Sequence, residues 1–120
     1  MNYRLPIAAA AIGLCALVGC RQHDYRTIVI RVPDMKNAAC VRIVTSALSR
    51  LPGLKPDSLS CSVDDRTVTL TYDTLLAADK NAEFLVARAG FRVIVESLGS
   101  TVEIPADPAA LDKLPPECRP

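Results

Sequence analysis

Thr27-Ile28-Val29-Ile30-Arg31-Val32, then Pro33-Asp34-Met35-Lys36-Asn37, then Ala38 through Leu51 is the stretch that decides the fold. Its first six residues are mostly β-branched and alternate, with Ile28, Ile30 and Val32 on one face, the period of a strand. Beyond the Pro33–Asn37 loop the period lengthens. Cys40, Val44, Ala47, Leu48 and Leu51 fall on one stripe of a helix, and Arg42, Ser46, Ser49 and Arg50 fall outside it. Asn37 stands where an N-cap belongs, its side-chain oxygen free to accept a backbone N–H. Pro52-Gly53 stops the helix.

Downstream, Leu59, Cys61 and Val63 alternate with Ser58, Ser60 and Ser62 as a second strand, and Asp64-Asp65-Arg66 is a hairpin turn. Thr67 to Tyr72 alternates again, with Val68, Leu70 and Tyr72 inward. Leu75, Ala78, Ala82, Leu85, Val86 and Ala89 form a second helical stripe, closed by Gly90, and Phe91 to Glu96 is the last strand. This strand–helix–strand–strand–helix–strand order over residues 27–97 predicts an α+β, ferredoxin-like βαββαβ sandwich. Its four strands form an antiparallel sheet with both helices on one face. Residues 98–120 hold more than half of the nine prolines and read as an extended tail with one short turn near 109–114.

Upstream, Arg4 precedes an apolar run from Leu5 to Val18. A membrane-spanning helix needs about 20 apolar residues, so the shorter run reads as a secretory signal. It ends in Leu17-Val18-Gly19-Cys20, which resembles the bacterial lipobox. The resemblance implies cleavage before Cys20 and lipid on that residue, hence a bacterial cell-envelope protein on the periplasmic side of the inner or outer membrane. The expected organisation is a signal at 1–19, lipidated Cys20 with a linker to 26, a domain at 27–97 and a tail at 98–120.

With 120 residues there is room for one ordinary domain, and none for a (β/α)8 barrel or a doubly wound dinucleotide fold. Fourteen basic residues face 13 acidic ones, and loss of the signal removes Arg4 and leaves the charges balanced. No basic stripe is present, so nucleic acid is excluded as a partner. There is no Ser/His/Asp set, phosphate-cradling glycine loop or histidine cluster, which points to a binding module and not an enzyme. Asp64 and Asp65 suit a turn, not paired acid–base chemistry. His23, the single histidine, lies in the linker as a solvated residue or a tethered ligand.

Several of these segments together resemble the heavy-metal-associated domain family, which includes copper chaperones and the periplasmic mercury-binding protein. Its signature is Gly-Met-x-Cys-x-x-Cys at the first loop. Met35 matches the Met, Cys40 the second Cys, and Ala38-Ala39 the small spacer. Pro52-Gly53-Leu54 matches the Pro-Gly-Val after the first helix, Tyr72-Asp73 a strand ending, and Ala89-Gly90-Phe91 the entry to the last strand. The resemblance covers residues 26–97. It implies a soft metal ion, Cu(I), Zn(II) or Hg(II), and transfer to or from a metal transporter or another metal-binding domain. It also implies that Met35 packs beneath the loop.

Two positions depart from the signature. Asp34 replaces the Gly, and Asn37 replaces the first metal-binding Cys. An amide oxygen is a hard, neutral donor and cannot stand in for a thiolate on Cu(I). Cys40 therefore has three open fates: a metal ligand with a second thiolate, a disulfide, or a small buried hydrophobe in a module that no longer binds metal. Cys118, at the end of a tail long enough to fold back, is the candidate partner, through a disulfide or a shared ion. A partner chain or second copy could supply the sulfur instead. Cys61 is in register with Leu59 and Val63 and is expected in the core.

Overall fold

A computed structural model describes residues 22–120. The segment expected as a signal, the lipobox-like tetrapeptide and Cys20 lie outside the described residues. In chain order the elements are β1 (Tyr25–Arg31), α1 (Ala38–Leu48), a 3-10 turn (Pro56–Ser58), β2 (Ser60–Ser62), β3 (Thr67–Asp73), α2 (Asp79–Arg88), β4 (Val93–Ser97), β5 (Ser100–Ile104), α3 (Pro108–Lys113) and a second 3-10 turn (Pro116–Cys118).

The strands form one antiparallel sheet in the order β2-β3-β1-β4-β5. Strand β1 pairs along its whole length with β3, from Tyr25↔Asp73 to Arg31↔Thr67. Ile28 and Ile30 of β1 and Val68, Leu70 and Tyr72 of β3 share one face, and α1 and α2 cover it. Cys40, Val44 and Leu48 of α1 and Ala82 and Val86 of α2 complete the core with Phe91 and Val93. Among the described residues the core runs from Ile28 to Cys118 as one continuous cluster.

The βαββαβ reading holds, with one strand added. Residues expected as an extended tail supply β5, which pairs with β4 from Val93↔Ile104 to Ser97↔Ser100. Strand β5 is exposed along most of its length, so it carries no apolar alternation to betray it. The rest of the tail is also folded. Asp107 caps α3 by accepting from the Ala109 N–H, and its own N–H reaches the carbonyl of Ala87 at 2.9 Å.

Both large helices are shorter than their stripes. Helix α1 ends at Leu48, although Leu51 remains buried, because Ser49 and Arg50 turn tightly and the Ser49 hydroxyl donates to the Ser46 carbonyl. Helix α2 starts at Asp79, so Leu75 is not part of its stripe. The Asp73 carboxylate accepts from the Leu75 N–H at 3.0 Å and the Thr74 hydroxyl donates to Asp24, which holds this segment in a turn and leaves Leu75 exposed.

The antiparallel order divides the domain into two ends. The Pro33–Asn37 loop, the β2–β3 turn, Gly90 and the folded tail lie where β1 finishes. Gln22–Tyr25, the Pro52–Ser58 segment, the 74–78 turn and the β4–β5 turn lie where β1 begins.

Candidate metal centre

The loop after β1 is held from three sides. Val32 donates its N–H to the Arg66 carbonyl at 2.8 Å, and the Arg66 guanidinium donates back to the Pro33 carbonyl at 2.8 Å. Asp34 is 3% exposed and takes a two-pronged ion pair from Arg92, Nε to Oδ2 at 2.9 Å and Nη2 to Oδ1 at 3.0 Å. Arg92 also reaches Glu103 on β5 at 3.3 Å. The hydrogen bonds and charge of Asp34 push the Arg92 pKa further above its ordinary range, so the guanidinium keeps its proton. Asp34 at the glycine position thus ties the loop to β4 and β5.

Asn37 is the N-cap of α1, its Oδ1 accepting from the Cys40 N–H at 3.1 Å. That oxygen is committed to the backbone of α1. Met35 is fully buried within the core cluster that contains Cys40, as the resemblance implied. Cys61 is half-buried with the Thr45 hydroxyl 3.6 Å from its sulfur, and it is the free cysteine of the described residues.

Cys40 and Cys118 meet. They form a disulfide across 78 residues of chain with their Cα atoms 5.6 Å apart, and both are fully buried. Gly90 makes the tail's approach possible. It sits at φ +105, and a Cβ there would come within 2.9 Å of Leu114 Cδ1 and 3.0 Å of the Leu111 nitrogen. Leu114 is buried, and Lys36 in the loop donates to the Arg119 carbonyl at 2.8 Å. Arg119 donates to the carbonyls of Leu114 and Asp112, curling the chain end on itself. The two sulfurs therefore belong to the first turn of α1 and to the tail, brought together at the N-terminus of that helix.

His23 is not simply solvated. Its Nδ1 lies 2.8 Å from Asp73 Oδ2, and the ring stacks on Tyr25. The His23 hydrogen bond, with those from the N–H groups of Leu75 and Asp24, holds the Asp73 carboxyl below the usual carboxylate range. His23 lies at the end opposite the cysteine pair and contributes nothing to it. Neither this pair nor Asp34–Arg92 was predicted from sequence. Their partners are 50 and 58 residues apart, and no local pattern marks them.

The family model of the heavy-metal-associated domain matches residues 29–87. The chain carries a heavy-metal-associated domain. Among solved structures, oxidized MerP from Ralstonia metallidurans CH34 shares the fold at TM-score 0.56 and 23% identity, over 62% of this chain and 100% of that one. No curated protein matches the chain. The heavy-metal-associated match stops before Gly90 and Cys118, so the sulfur that meets Cys40 comes from a segment the family pattern does not include.

The donor set limits what the heavy-metal-associated domain can hold here. Among the described residues no group of three or more His, Cys, Asp or Glu side chains could surround an ion. A reduced Cys40–Cys118 pair offers two thiolates, with the α1 N-terminus favouring their charge. Two soft sulfurs suit Cu(I) or Hg(II), whereas Zn(II) in a structural site takes four ligands.

Proposed function

We propose that this protein binds or transfers a soft heavy metal, Cu(I)-like in its chemistry, through the thiolates of Cys40 and Cys118. The convergence of the α1 and tail cysteines carries the reading, since it replaces the thiolate lost at Asn37. Two electrons and two protons from a thiol reductant convert the disulfide to two thiols. Metal binding then displaces the two protons. In this reading a lipid on Cys20 holds the domain at the envelope membrane, and exchange of thiolates with a metal transporter or another metal-binding domain passes the ion on. The protein is a binding module with no chemistry of its own.

A second reading has an observation in its favour. Both sulfurs are fully buried and already joined, which suits a domain that has given up metal and uses the bond to pin its tail as an interaction or structural module. An anaerobic competitive Cu(I) titration of residues 22–120 separates the two. The reduced protein is expected to bind one ion per chain, Cys40→Ser and Cys118→Ser to lose it, and the oxidised protein to bind none. Absence of binding by the reduced wild type would sink the metal reading and leave the disulfide-pinned module. Loss with Cys40→Ser alone, accompanied by dimerisation on metal, would move the second thiolate to another copy.

A further inference from the structure

The end of the domain where β1 begins carries apolar side chains that the core does not use. Leu75 and Leu76 are 67% and 60% exposed, Tyr25 is 46% exposed, and Leu98 is fully exposed. Leu76 lies against Gly53 and lines one groove of about 640 Å³ with His23, Tyr25 and Lys55. Strand β4 runs antiparallel to β1, so the Leu98-Gly99 turn emerges at this same end. Leu98 is also a costly choice. The two-residue turn has φ +50 at Leu98 and +79 at Gly99, a type I′ geometry that favours Asn, Asp or Gly over a branched apolar residue. Folding gains nothing from this side chain, which points to a use outside the fold.

The chain itself says what lies nearby. It enters the domain here, with His23 fixed to Asp73, and an apolar run at residues 5–18, followed by Gly19-Cys20, precedes it. Three residues from Cys20 to His23 reach about 10 Å when fully extended. A lipid at Cys20 would therefore hold the end of the domain that carries the three leucines toward the headgroups. We infer that this leucine-bearing end is a membrane-contact surface, and that Leu75, Leu76 and Leu98 seat in the interfacial zone of the bilayer that holds the N-terminus. The inference rests on the anchoring part of the proposed function. Its consequence is orientation. Strand β1 spans seven residues, about 23 Å at the usual rise, so the Cys40–Cys118 end stands off the membrane and faces the aqueous compartment.

Leu76 shares its groove with an aromatic and a cationic group suited to headgroup depth, the Lys55 ammonium lying 4.4 Å from the centre of the Tyr25 ring. Asp24 and Asp57 share this end with Lys55, so attraction to anionic lipid is not the driving term. Contact should be equal on zwitterionic and anionic bilayers.

The chain has no tryptophan, so Leu98→Trp and Leu76→Trp each provide a single fluorophore, with Val63→Trp as a control on the opposite end. The full-length protein is reconstituted into phosphatidylethanolamine/phosphatidylglycerol vesicles with and without brominated acyl chains, after circular dichroism confirms the fold. The expected result is co-flotation of the protein with vesicles, blue-shifted emission at positions 98 and 76, and bromine quenching there several-fold stronger than at 63. Co-flotation with water-like emission and quenching no stronger than at 63 would overturn the surface and leave the anchor. Blue-shifted emission without bromine quenching would show that protein, a second copy or a partner, covers the leucines, and would overturn the lipid occupant. Absence of co-flotation would overturn the anchoring reading and this inference with it.

Discussion

Reducing the Cys40–Cys118 bond should remove a large share of this domain's stability. The bond closes 78 residues of chain, nearly the whole domain. In the chain-entropy treatment a loop of that length restrains the unfolded state by about 4.5 kcal/mol at 25 °C. Small domains have a total of roughly 5–15 kcal/mol, so the reduced protein should stay folded with a much smaller margin. With a urea slope of about 1.5 kcal/mol per M, the midpoint should fall by about 3 M, and the melting temperature by roughly 20 °C. The assay is urea unfolding of residues 22–120 at neutral pH, followed by circular dichroism, with and without a phosphine reductant. Cys40→Ala/Cys118→Ala serves as a permanently open control. The free Cys61 takes part in neither state. A soft ion that bridges the two thiolates closes the same loop, so adding Cu(I) to the reduced wild type should restore most of the lost midpoint. It should leave the double variant unmoved. A midpoint change under about 0.5 M on reduction would refute the entropic argument, because the unfolded chain would then gain little freedom from opening the loop.

Three further outcomes follow from single contacts. Asn37→Cys returns a thiolate to the first motif position beside Cys40, so the reduced Asn37→Cys/Cys118→Ser protein should bind Cu(I) without the tail; loss of the N-cap should cost it about 1 kcal/mol in urea unfolding. Arg92→Met leaves the buried Asp34 carboxylate without its cation and should destabilise by about 2–4 kcal/mol, whereas Asp34→Asn/Arg92→Met should recover part of that loss in the same assay. The Asp73 carboxyl is held below its ordinary value in the folded state, so the unfolded chain binds the extra proton. Its contribution is complete above the unfolded pKa of about 3.9 and is lost as pH falls through the folded value. Stability measured from pH 5 downward should therefore decline less steeply in Asp73→Asn than in the wild type.

What could be read without coordinates was the part of the structure that repeats locally. Ile28, Ile30, Val68, Leu70 and Tyr72 alternate because one face of the sheet is dry, and Cys40, Val44 and Leu48 recur every turn because one side of α1 is dry. Periodicity records burial, so it found the four half-buried strands and both long helices. It missed β5, which is wet along most of its length, and it carried the second stripe too far, to Leu75, where Asp73 holds the backbone in a turn. The N-cap at Asn37 and the conformation of Gly90 were also legible, since each depends on near neighbours in the chain.

Pairings between distant residues were settled by the tertiary structure alone. Charge, amide and thiol chemistry limit which residues can pair, but sequence separation does not choose among them. Cysteine arithmetic left Cys40 with several fates and named Cys118 as one partner, and the docking of the tail, Leu114 against Gly90 and Arg119 on Lys36, brings the two sulfurs together. In the same way, Asp34 looked like a mere departure from a motif until Arg92, just ahead of β4, came over it. The sequence by itself therefore determined where the four half-buried strands and the two long helices form and which residues could carry metal chemistry. The three-dimensional fold decided that the start of α1 and the tail form one site, because contacts closed over 50 to 80 residues depend on global packing and leave no trace in a local pattern.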